Sequence, residues 1–301
     1  MNANRLTVEE INKNTKNDIE KYIVDSEQFF TAQINKVLNK VAQNKNIKFI
    51  LLAGPSSSGK TTTSKIMSKN LEQNGFDALP ISLDDFFVAR EKTPKWKDGT
   101  YNFETADAID WKLFGATMQS LLANKPTKLP TYDFGSGKTI FGGETKIFDN
   151  TIVIVEGLHA LNPIVEKYIE QKNCLSVYIS TNTDVYENDN LLLTHETIRF
   201  YRRLIRDLFT RATSIESTLK NWAKVNLGEE LYIKPYIDRA DVKIDSFHPY
   251  ELGAYRDVLH KCQNFDDKTL EKAKEIIRHF ETVNFETVPK DSVLQEFLPK
   301  K

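Results

Sequence analysis

The hydrophobic positions upstream of residue 48 follow a helical spacing. They recur at intervals of three, four and seven residues, namely Ile23, Phe30, Ile34, Val37 and Val41. Thr7 and Glu10 match a capping box, and no Gly or Pro interrupts residues 7–43. This pattern predicts an N-terminal helical extension, residues 1–45, packed on the rest of the protein through its apolar face. A helix that binds a partner is the alternative.

Downstream of residue 48, short apolar runs alternate with helical patterns. The predicted strands are residues 49–53, 78–83, 151–155 and 175–179, and the predicted helices are residues 60–74, 106–123 and 163–172. The Gly-rich stretch 135–143 predicts an exposed loop or hairpin. Strands that alternate with helices are typical of a parallel sheet covered on both faces. We therefore predict an α/β fold with a mostly parallel sheet over residues 46–301.

Charge and composition narrow the functional classes. The 301 residues include 41 basic and 42 acidic ones, so no net basic field favours nucleic acid as a partner. No apolar run approaches a membrane span, and residues 1–10 lack an apolar signal core. Cys174 and Cys262 are far apart and outside any Cys-x-x-Cys pattern, which indicates free thiols. We expect a soluble cytoplasmic protein.

A phosphate-binding motif follows the first predicted strand of the sheet. Residues 54–61 read Gly-Pro-Ser-Ser-Ser-Gly-Lys-Thr and match G-x-x-x-x-G-K-[ST] between a strand and a helix. We expect Lys60 to contact the β- and γ-phosphates and Thr61 to offer its hydroxyl to Mg²⁺. The residues predicted to bind ATP or GTP are Gly54, Ser56, Ser57, Ser58, Gly59, Lys60, Thr61 and Thr62. GTPases and ATP-driven machines share this P-loop, so it does not by itself specify a kinase.

Carboxylates end two of the predicted strands. Asp84 and Asp85 follow the strand 78–83, and Glu156 follows the strand 151–155. Carboxyl ends of parallel strands meet at one edge of a sheet, where ligands bind. One of the two aspartates is a candidate to accept the proton of an attacking hydroxyl, while Glu156 is a candidate Mg²⁺ ligand. Capping of a turn and plain solvent exposure are the alternatives.

An arginine-rich helix is predicted over residues 195–211. Arg199, Arg203 and Arg206 share one face, with Arg202 beside them, and apolar residues occupy much of the other side. Guanidinium groups bind phosphate through paired donors. We expect a helical lid, about residues 195–215, that neutralises charge on the transferring phosphate and excludes water. A solvated charged face and an RNA-binding face are the alternatives.

These motifs together resemble the uridine kinase and phosphoribulokinase family of P-loop kinases, and most closely a bacterial nucleoside kinase branch. The resembling segments are GPSSSGKTT at 54–62, SLDDFF at 82–87, NFETADAID at 102–110, PTYDF at 130–134, VIVEGLHALN at 153–162 and RRLIRDLFTR at 202–211. Members of that branch often carry an N-terminal domain similar to part of a threonyl-tRNA synthetase, which we expect this chain to lack. The resemblance implies a P-loop fold and an alcohol phosphotransferase.

The resemblance also implies roles for single residues. For the metal and the chemistry, Asp84 matches the family's catalytic base and Mg²⁺ ligand, and Glu156 matches its second metal-site acid. For the acceptor, Glu104 matches an Asp that binds the ribose hydroxyls, Tyr132 matches an aromatic residue that contacts the base, and Arg203 matches an arginine near the ribose. Arg206 and Arg211 match lid arginines that contact phosphate. Glu104 is one methylene longer than the Asp. Gly137 stands where the family has a base-reading His. We therefore expect intact phosphate machinery with altered base recognition.

Three functional hypotheses remain open from the sequence. The first is a kinase that phosphorylates the 5′-hydroxyl of a nucleoside, with uridine or cytidine as the leading acceptor. The second is a kinase of another small alcohol, resembling phosphoribulokinase or pantothenate kinase. The third is a regulatory or RNA-associated protein that binds a nucleoside triphosphate. The acceptor, the base of the donor and the oligomeric state, a homo-oligomer included, are not specified.

Overall fold

The computed structural model describes residues 3–211, 213–261 and 268–300, so Cys262 lies outside the described residues. Cys174 is a free, half-buried cysteine. The described strands are β1 (Asn4–Thr7), β2 (Phe49–Ala53), β3 (Asp77–Ser82), β4 (Thr127–Asp133), β5 (Lys138–Thr145), β6 (Thr151–Glu156), β7 (Cys174–Ser180), β8 (Thr183–Glu187), β9 (Asn190–Leu193) and β10 (Val242–Asp245). The described α-helices are α1 (Val8–Asn17), α2 (Ile19–Gln43), α3 (Lys60–Gln73), α4 (Trp111–Leu122), α5 (His195–Thr210), α6 (Ile215–Tyr232), α7 (Glu251–Lys261) and α8 (Lys268–Ile277).

The central sheet has five strands in the order β10-β7-β2-β6-β3. All neighbouring pairs are parallel, and Phe49 of β2 lies between Val153 of β6 and Cys174 of β7. Strands β2 and β6 are buried along their whole length, as strands covered on both faces must be. The predicted α/β class with a mostly parallel sheet is confirmed.

Alternate residues of the strands feed two separate hydrophobic cores. Ile50 and Leu52 point to a core that also contains side chains of α2, α3, α5 and α7. Phe49 and Leu51 point to the other core, which α4 covers. Because successive strand residues face opposite sides, each strand supplies both cores at once. The prediction of helices on both faces is therefore confirmed.

The N-terminal residues are part of the larger core. Thr7 caps α1 in the predicted capping box with Glu10, but Asp18 caps a second helix, α2, where the sequence indicated one helix. Strand β1 was not predicted, and it pairs in parallel with β8. Gln33 of α2 fixes the helix to the edge strand β10, since its amide accepts from N of Asp245 at 2.9 Å and donates to O of Asp245 at 3.0 Å.

Two predicted helices are shorter than expected. The stretch 163–172 forms two short 3₁₀ helices, Pro163–Lys167 and Gln171–Asn173. The stretch 106–123 begins with a 3₁₀ turn, Ala106–Ala108, and becomes α-helical only from Trp111, because the Asp110 side chain accepts from N of Leu113 and caps α4 there. The Gly-rich stretch 135–143 is the turn and outer strand of the β4–β5 hairpin. None of the helices in the described ranges combines the length and apolar character needed to span a lipid bilayer.

Candidate active site

A cavity of about 720 Å³ opens at the carboxyl end of the parallel sheet. Its floor is the loop after β2, the Asp84 turn after β3 and Glu156 at the end of β6. Helices α5 and α6 supply one wall, and an aromatic cluster supplies the other. Most of the predicted site residues, although they come from separate segments, thus meet in one place, as expected at the carboxyl ends of parallel strands. The exceptions are Gly54, Ser58, Thr62 and Tyr132.

The P-loop takes its shape from a few close approaches. A Cβ at Gly54 would collide with the carbonyl oxygen of Ile179, so only glycine fits. Gly59 has φ of +89°, in the left-handed region, and lies directly before the first residue of α3. Ser57 also has a positive φ of 60°. The N–H groups at the start of α3 therefore face the cavity, which is an arrangement suited to an anion.

The structure divides the predicted P-loop set. Ser56, Ser57, Gly59, Lys60 and Thr61 line the cavity, and Gly54, Ser58 and Thr62 do not. The amine of Lys60 donates to the carbonyl oxygen of Pro55 at 3.0 Å. Ser58 is fully buried beneath the loop, and Thr62 donates to Glu296. The role of these three residues as nucleotide contacts stays a prediction.

The paired aspartates point in different directions. Asp84 lines the cavity, whereas Asp85 accepts a hydrogen bond from N of Tyr132 at 3.3 Å and so holds strand β4. Burial raises the pKa of Asp84, and the nearby charges of Lys60 and Arg211 partly oppose that shift. A carboxylate with a raised pKa is a better proton acceptor, which suits a general base.

Glu156 lies at the base of the cavity beside the P-loop. The hydroxyl of Thr61 donates to Glu156 Oε1 at 3.1 Å. Burial raises the pKa of Glu156 to about 7, against the opposing charge of Lys60. Such a carboxylate lacks a full counter-charge, and a bound cation would supply one.

The donor set at this point suits Mg²⁺ better than a metal held by protein alone. No cluster of three or more His, Cys, Asp and Glu side chains that could enclose a metal exists in the described part of the chain. Mg²⁺ binds to one or two carboxylates together with substrate phosphates and water. Thr61, Asp84 and Glu156 offer a hydroxyl and two carboxylates around the phosphate loop, which fits that requirement.

The arginines of α5 fall into two groups. Arg203, Arg206 and Arg211 line the cavity. Arg199 and Arg202, by contrast, are 0% exposed and do not reach the cavity as a continuous lid stripe would require. Their guanidinium groups are paired with buried carboxylates: Arg199 with Glu229 at 2.6 Å and Arg202 with Glu251 at 2.8 Å.

The two buried arginines support the P-loop from behind. Arg199 donates to O of Ser56 at 3.3 Å, and Arg202 donates to O of Ser57 at 3.4 Å. These bonds take up carbonyl groups on the outer side of the loop, so its N–H groups remain directed at the cavity. Of the predicted arginine stripe, Arg203 and Arg206 thus face the cavity. Arg199 and Arg202 instead support the P-loop.

Arg206 is a buried cation with long contacts to two carboxylates: its Nη2 donates to Asp207 Oδ1 at 3.5 Å, and Glu296 Oε1 lies 3.9 Å from its Nη1. It is 7% exposed, and burial together with the charge of Arg211 lowers its pKa to about 10. Its Nε has no hydrogen-bond partner among the described residues, and the same holds for Nε of Arg203 and Oγ of Ser57. A phosphate group in the cavity would satisfy these donors.

An aromatic wall faces the arginines across the cavity. Its members are Phe87, Trp96, Tyr101, Phe103 and Phe134. Tyr132, the predicted base contact, is 3% exposed and lies behind this wall, with its ring 5.5 Å from Phe87 and 5.0 Å from Phe134. Phe87 and Phe134 therefore line the cavity, and Tyr132, which was predicted to do so, does not.

Glu104 enters the cavity between the aromatic wall and Arg203. Burial raises the pKa of Glu104 to about 7, and the charge of Arg203 opposes the shift. The side chain rests against Gly228 of α6, where an added Cβ would come within 2.5 Å of Glu104 Cβ and 3.2 Å of Oε2. Gly228 therefore makes room for this glutamate.

Gly137 lies in the turn of the β4–β5 hairpin and does not line the cavity. Its φ is +71°, and a Cβ there would come within 2.7 Å of Arg90 Cβ. Arg90 itself donates to O of Phe134 and is bonded through N to O of Gly137. A side chain at this position is excluded by the turn and by Arg90.

Comparison with known proteins agrees with this geometry. Residues 49–251 match the phosphoribulokinase / uridine kinase family. The chain belongs to that family. Most of the residues that line the cavity lie within the matched range.

Relatives within the phosphoribulokinase / uridine kinase family are named uridine kinases. That of Lactobacillus helveticus is 31% identical over 194 residues, which are 64% of this chain and 82% of that protein. That of Borrelia duttonii is 30% identical over 200 residues, covering 66% and 86% of the two chains. That of Schizosaccharomyces pombe is 27% identical over 201 residues and is longer, so the match spans 66% of this chain and 40% of that enzyme.

Sequence analysis missed several cavity residues of this family member. Asn221 and Lys224 of α6 line the cavity, and the amine of Lys224 donates to Asp98 at 2.7 Å and to Thr100 at 2.6 Å. Glu296, which also lines the cavity, lies outside the matched residues 49–251. No motif marks these positions, because they reach the site through tertiary packing alone.

Proposed function

We propose that the protein transfers the terminal phosphate of ATP or GTP, with Mg²⁺, to the 5′-hydroxyl of a nucleoside, uridine and cytidine being the leading acceptors. The observation that carries the proposal is that a P-loop, the carboxylate of Asp84 and a second buried carboxylate, Glu104 beside Arg203, line one cavity. The first two serve phosphoryl transfer, and the third suits a sugar diol.

The phosphate half of the site acts by charge and position. Lys60 lies at the first turn of α3, where it can meet the β- and γ-phosphates, and Arg206 and Arg211 face the same space. Thr61, Asp84 and Glu156 would hold Mg²⁺, which supplies charge neutralisation on the phosphate oxygens when bound. The arginines would then stabilise the charge that develops on the transferred group.

The acceptor half of the site has a base and a hydroxyl reader. Asp84, with its raised pKa, accepts the proton of the attacking hydroxyl. Glu104 in its ionised form accepts hydrogen bonds from two neighbouring hydroxyls, and the charge of Arg203 favours that form. The aromatic wall of Phe87, Phe103 and Phe134 provides a stacking surface for the base.

A panel of acceptors tests the proposal. ADP release is measured with uridine, cytidine, adenosine, guanosine and 2′-deoxyuridine at saturating ATP and Mg²⁺. We expect ribonucleosides to exceed the 2′-deoxy form by a large factor, because Glu104 would be left unpaired. Discrimination between bases should be weak, since the aromatic wall of Phe87, Phe103 and Phe134 meets a base by stacking, which every base can do. Gly137, which lies outside the cavity, has no part in it.

Two variants serve as controls for this panel. Lys60→Ala should abolish turnover with every acceptor, and Glu104→Gln should reduce the preference for ribo over deoxy substrates. Equal rates for uridine and 2′-deoxyuridine in the unmodified protein would contradict the role of Glu104. Turnover of another small alcohol and of no nucleoside would contradict the acceptor class, while the P-loop assignment would stand.

A further inference from the structure

A turn near the C-terminus packs directly on the P-loop. The turn is the 3₁₀ helix Val293–Glu296, capped by Ser292. Val293 and Phe297 are fully buried, so the backbone of the turn is anchored in the core. Val293 sits against the P-loop at Gly59, where an added Cβ would come within 2.5 Å of Val293 Cγ2.

The turn places a carboxylate on the first residues of α3. Glu296 Oε2 accepts from Oγ1 of Thr62 at 2.9 Å and from N of Thr62 at 3.3 Å. Glu296 Oε1 lies 3.9 Å from Nη1 of Arg206. The carboxylate of Glu296 thereby binds an N–H group at the start of α3 and lies within ion-pair distance of Arg206.

These two groups are the ones a bound phosphate would use. The N–H of Thr62 belongs to the first turn of a helix, where N–H groups have no partner in the helix and attract anions. Arg206 is 7% exposed, and its Nε makes no hydrogen bond although Asp207 Oδ1 lies 3.5 Å away, so this buried group keeps a donor free for a further anion. In this structure the carboxylates beside Arg206 are those of Asp207 and Glu296, and of these Glu296 also binds Thr62.

We propose that Glu296 is a built-in competitor for a donor phosphate, occupying Thr62 and Arg206 until the nucleotide displaces its side chain. This inference rests on the proposed P-loop donor site. Since the backbone of the turn is anchored, displacement is a side-chain rotation. It releases Arg206 toward the phosphates, so donor binding itself frees this arginine. Return of the carboxylate after transfer favours release of the nucleoside diphosphate.

Isothermal titration of the full-length protein with MgATP and MgADP tests the inference. Glu296→Gln keeps the shape of the side chain and removes its charge, and Glu296→Ala removes the competing group altogether. Both should bind each nucleotide roughly tenfold more tightly than the unmodified protein, the scale of one lost charged hydrogen bond. Asp291→Asn, an exposed acid of the same segment, is the matched charge control and should bind as the unmodified protein does.

The outcomes separate this inference from the donor assignment. Equal or weaker nucleotide binding by both Glu296 variants, with normal binding by the unmodified protein, overturns the competition and leaves the donor site in place. An equal gain in Asp291→Asn also overturns it, because a general charge effect would then suffice. Absence of nucleotide binding in all four proteins overturns the proposed function together with the inference.

Discussion

The substitution Gly228→Ala tests whether the position of Glu104 sets acceptor binding. An added methyl would come within 2.5 Å of Glu104 Cβ and 2.8 Å of its Cγ, closer than real contacts allow. Either α6 or Glu104 must shift. Because Gly228 is buried within α6 and the closest atom is the Glu104 Cβ, which the backbone fixes, we expect the loop that carries Glu104 to shift and to move its carboxylate.

The cost to stability should be small and the cost to acceptor binding large. Overpacking of a buried position costs about 1–3 kcal/mol. Alanine in a helix interior returns about 1 kcal/mol relative to glycine. The free energy of unfolding should therefore fall by about 0–2 kcal/mol. A displacement of a positioning group by about 1 Å can reduce kcat/KM about 10²-fold, so we expect a loss of about 10- to 100-fold for ribonucleosides.

The control is Gly115→Ala in α4, where the added methyl would collide with the ring of Tyr168, away from the cavity. Steady-state ADP release at varied uridine and saturating MgATP gives kcat/KM, and urea unfolding gives the stability of each variant. Gly115→Ala should lose stability and keep its kcat/KM for uridine. An unchanged kcat/KM for uridine in Gly228→Ala, or an equal change in both variants, would refute the reasoning.

Three further predictions concern the carboxylates and the buried ion pair. Asp84→Asn should lower kcat about 10²-fold, the usual scale for a general base, whereas Asp85→Asn should mainly loosen the β4–β5 hairpin, seen as faster hydrogen exchange of the strand with a milder change in kcat. Burial raises the pKa of Glu104 from 4.5 to about 7. A folded-state pKa above the unfolded value means that protonated Glu104 contributes stability at pH 5, and that this contribution, about 3 kcal/mol for this shift, is lost as pH rises through 7. In urea unfolding without nucleotide, Glu104→Gln should therefore lose less unfolding free energy between pH 5 and 8 than the unmodified protein does. Arg202→Met should cost about 3–5 kcal/mol of unfolding free energy, because Glu251 is left charged and buried. The double variant Arg202→Met with Glu251→Leu should recover much of that loss. A double variant no more stable than Arg202→Met alone would contradict this account.

Local signals in the sequence predicted much of the sheet and of the phosphate loop. The run from Phe49 to Ala53 is apolar throughout because both faces of β2 are covered, and that property is visible in five consecutive residues. The P-loop was predictable because its glycines and Lys60 are adjacent in the chain. Strand β1 was missed because its pairing partner, β8, is almost 180 residues away and its own four residues are not distinctive.

The helical spacing of the sequence did not predict which charged side chains are buried in ion pairs. Arg199 and Arg206 both lie on one helical face, yet the first is paired with Glu229 and the second faces the cavity. The helical spacing gives the face of a residue and carries no information on its tertiary partner. Glu296 was missed for the same reason, since only packing of the C-terminal turn brings it to Thr62.

The bond between Gln33 and Asp245 also has a consequence for how the chain is made. The two residues are 212 positions apart, so the apolar face of α2 leaves the ribosome long before strand β10 exists to cover it. At a synthesis rate of roughly 5–20 residues per second, that interval is about 10 to 40 s. During it, α2 lacks its contact with β10 and can pack only on elements made before β10, such as α3 and, later, β7.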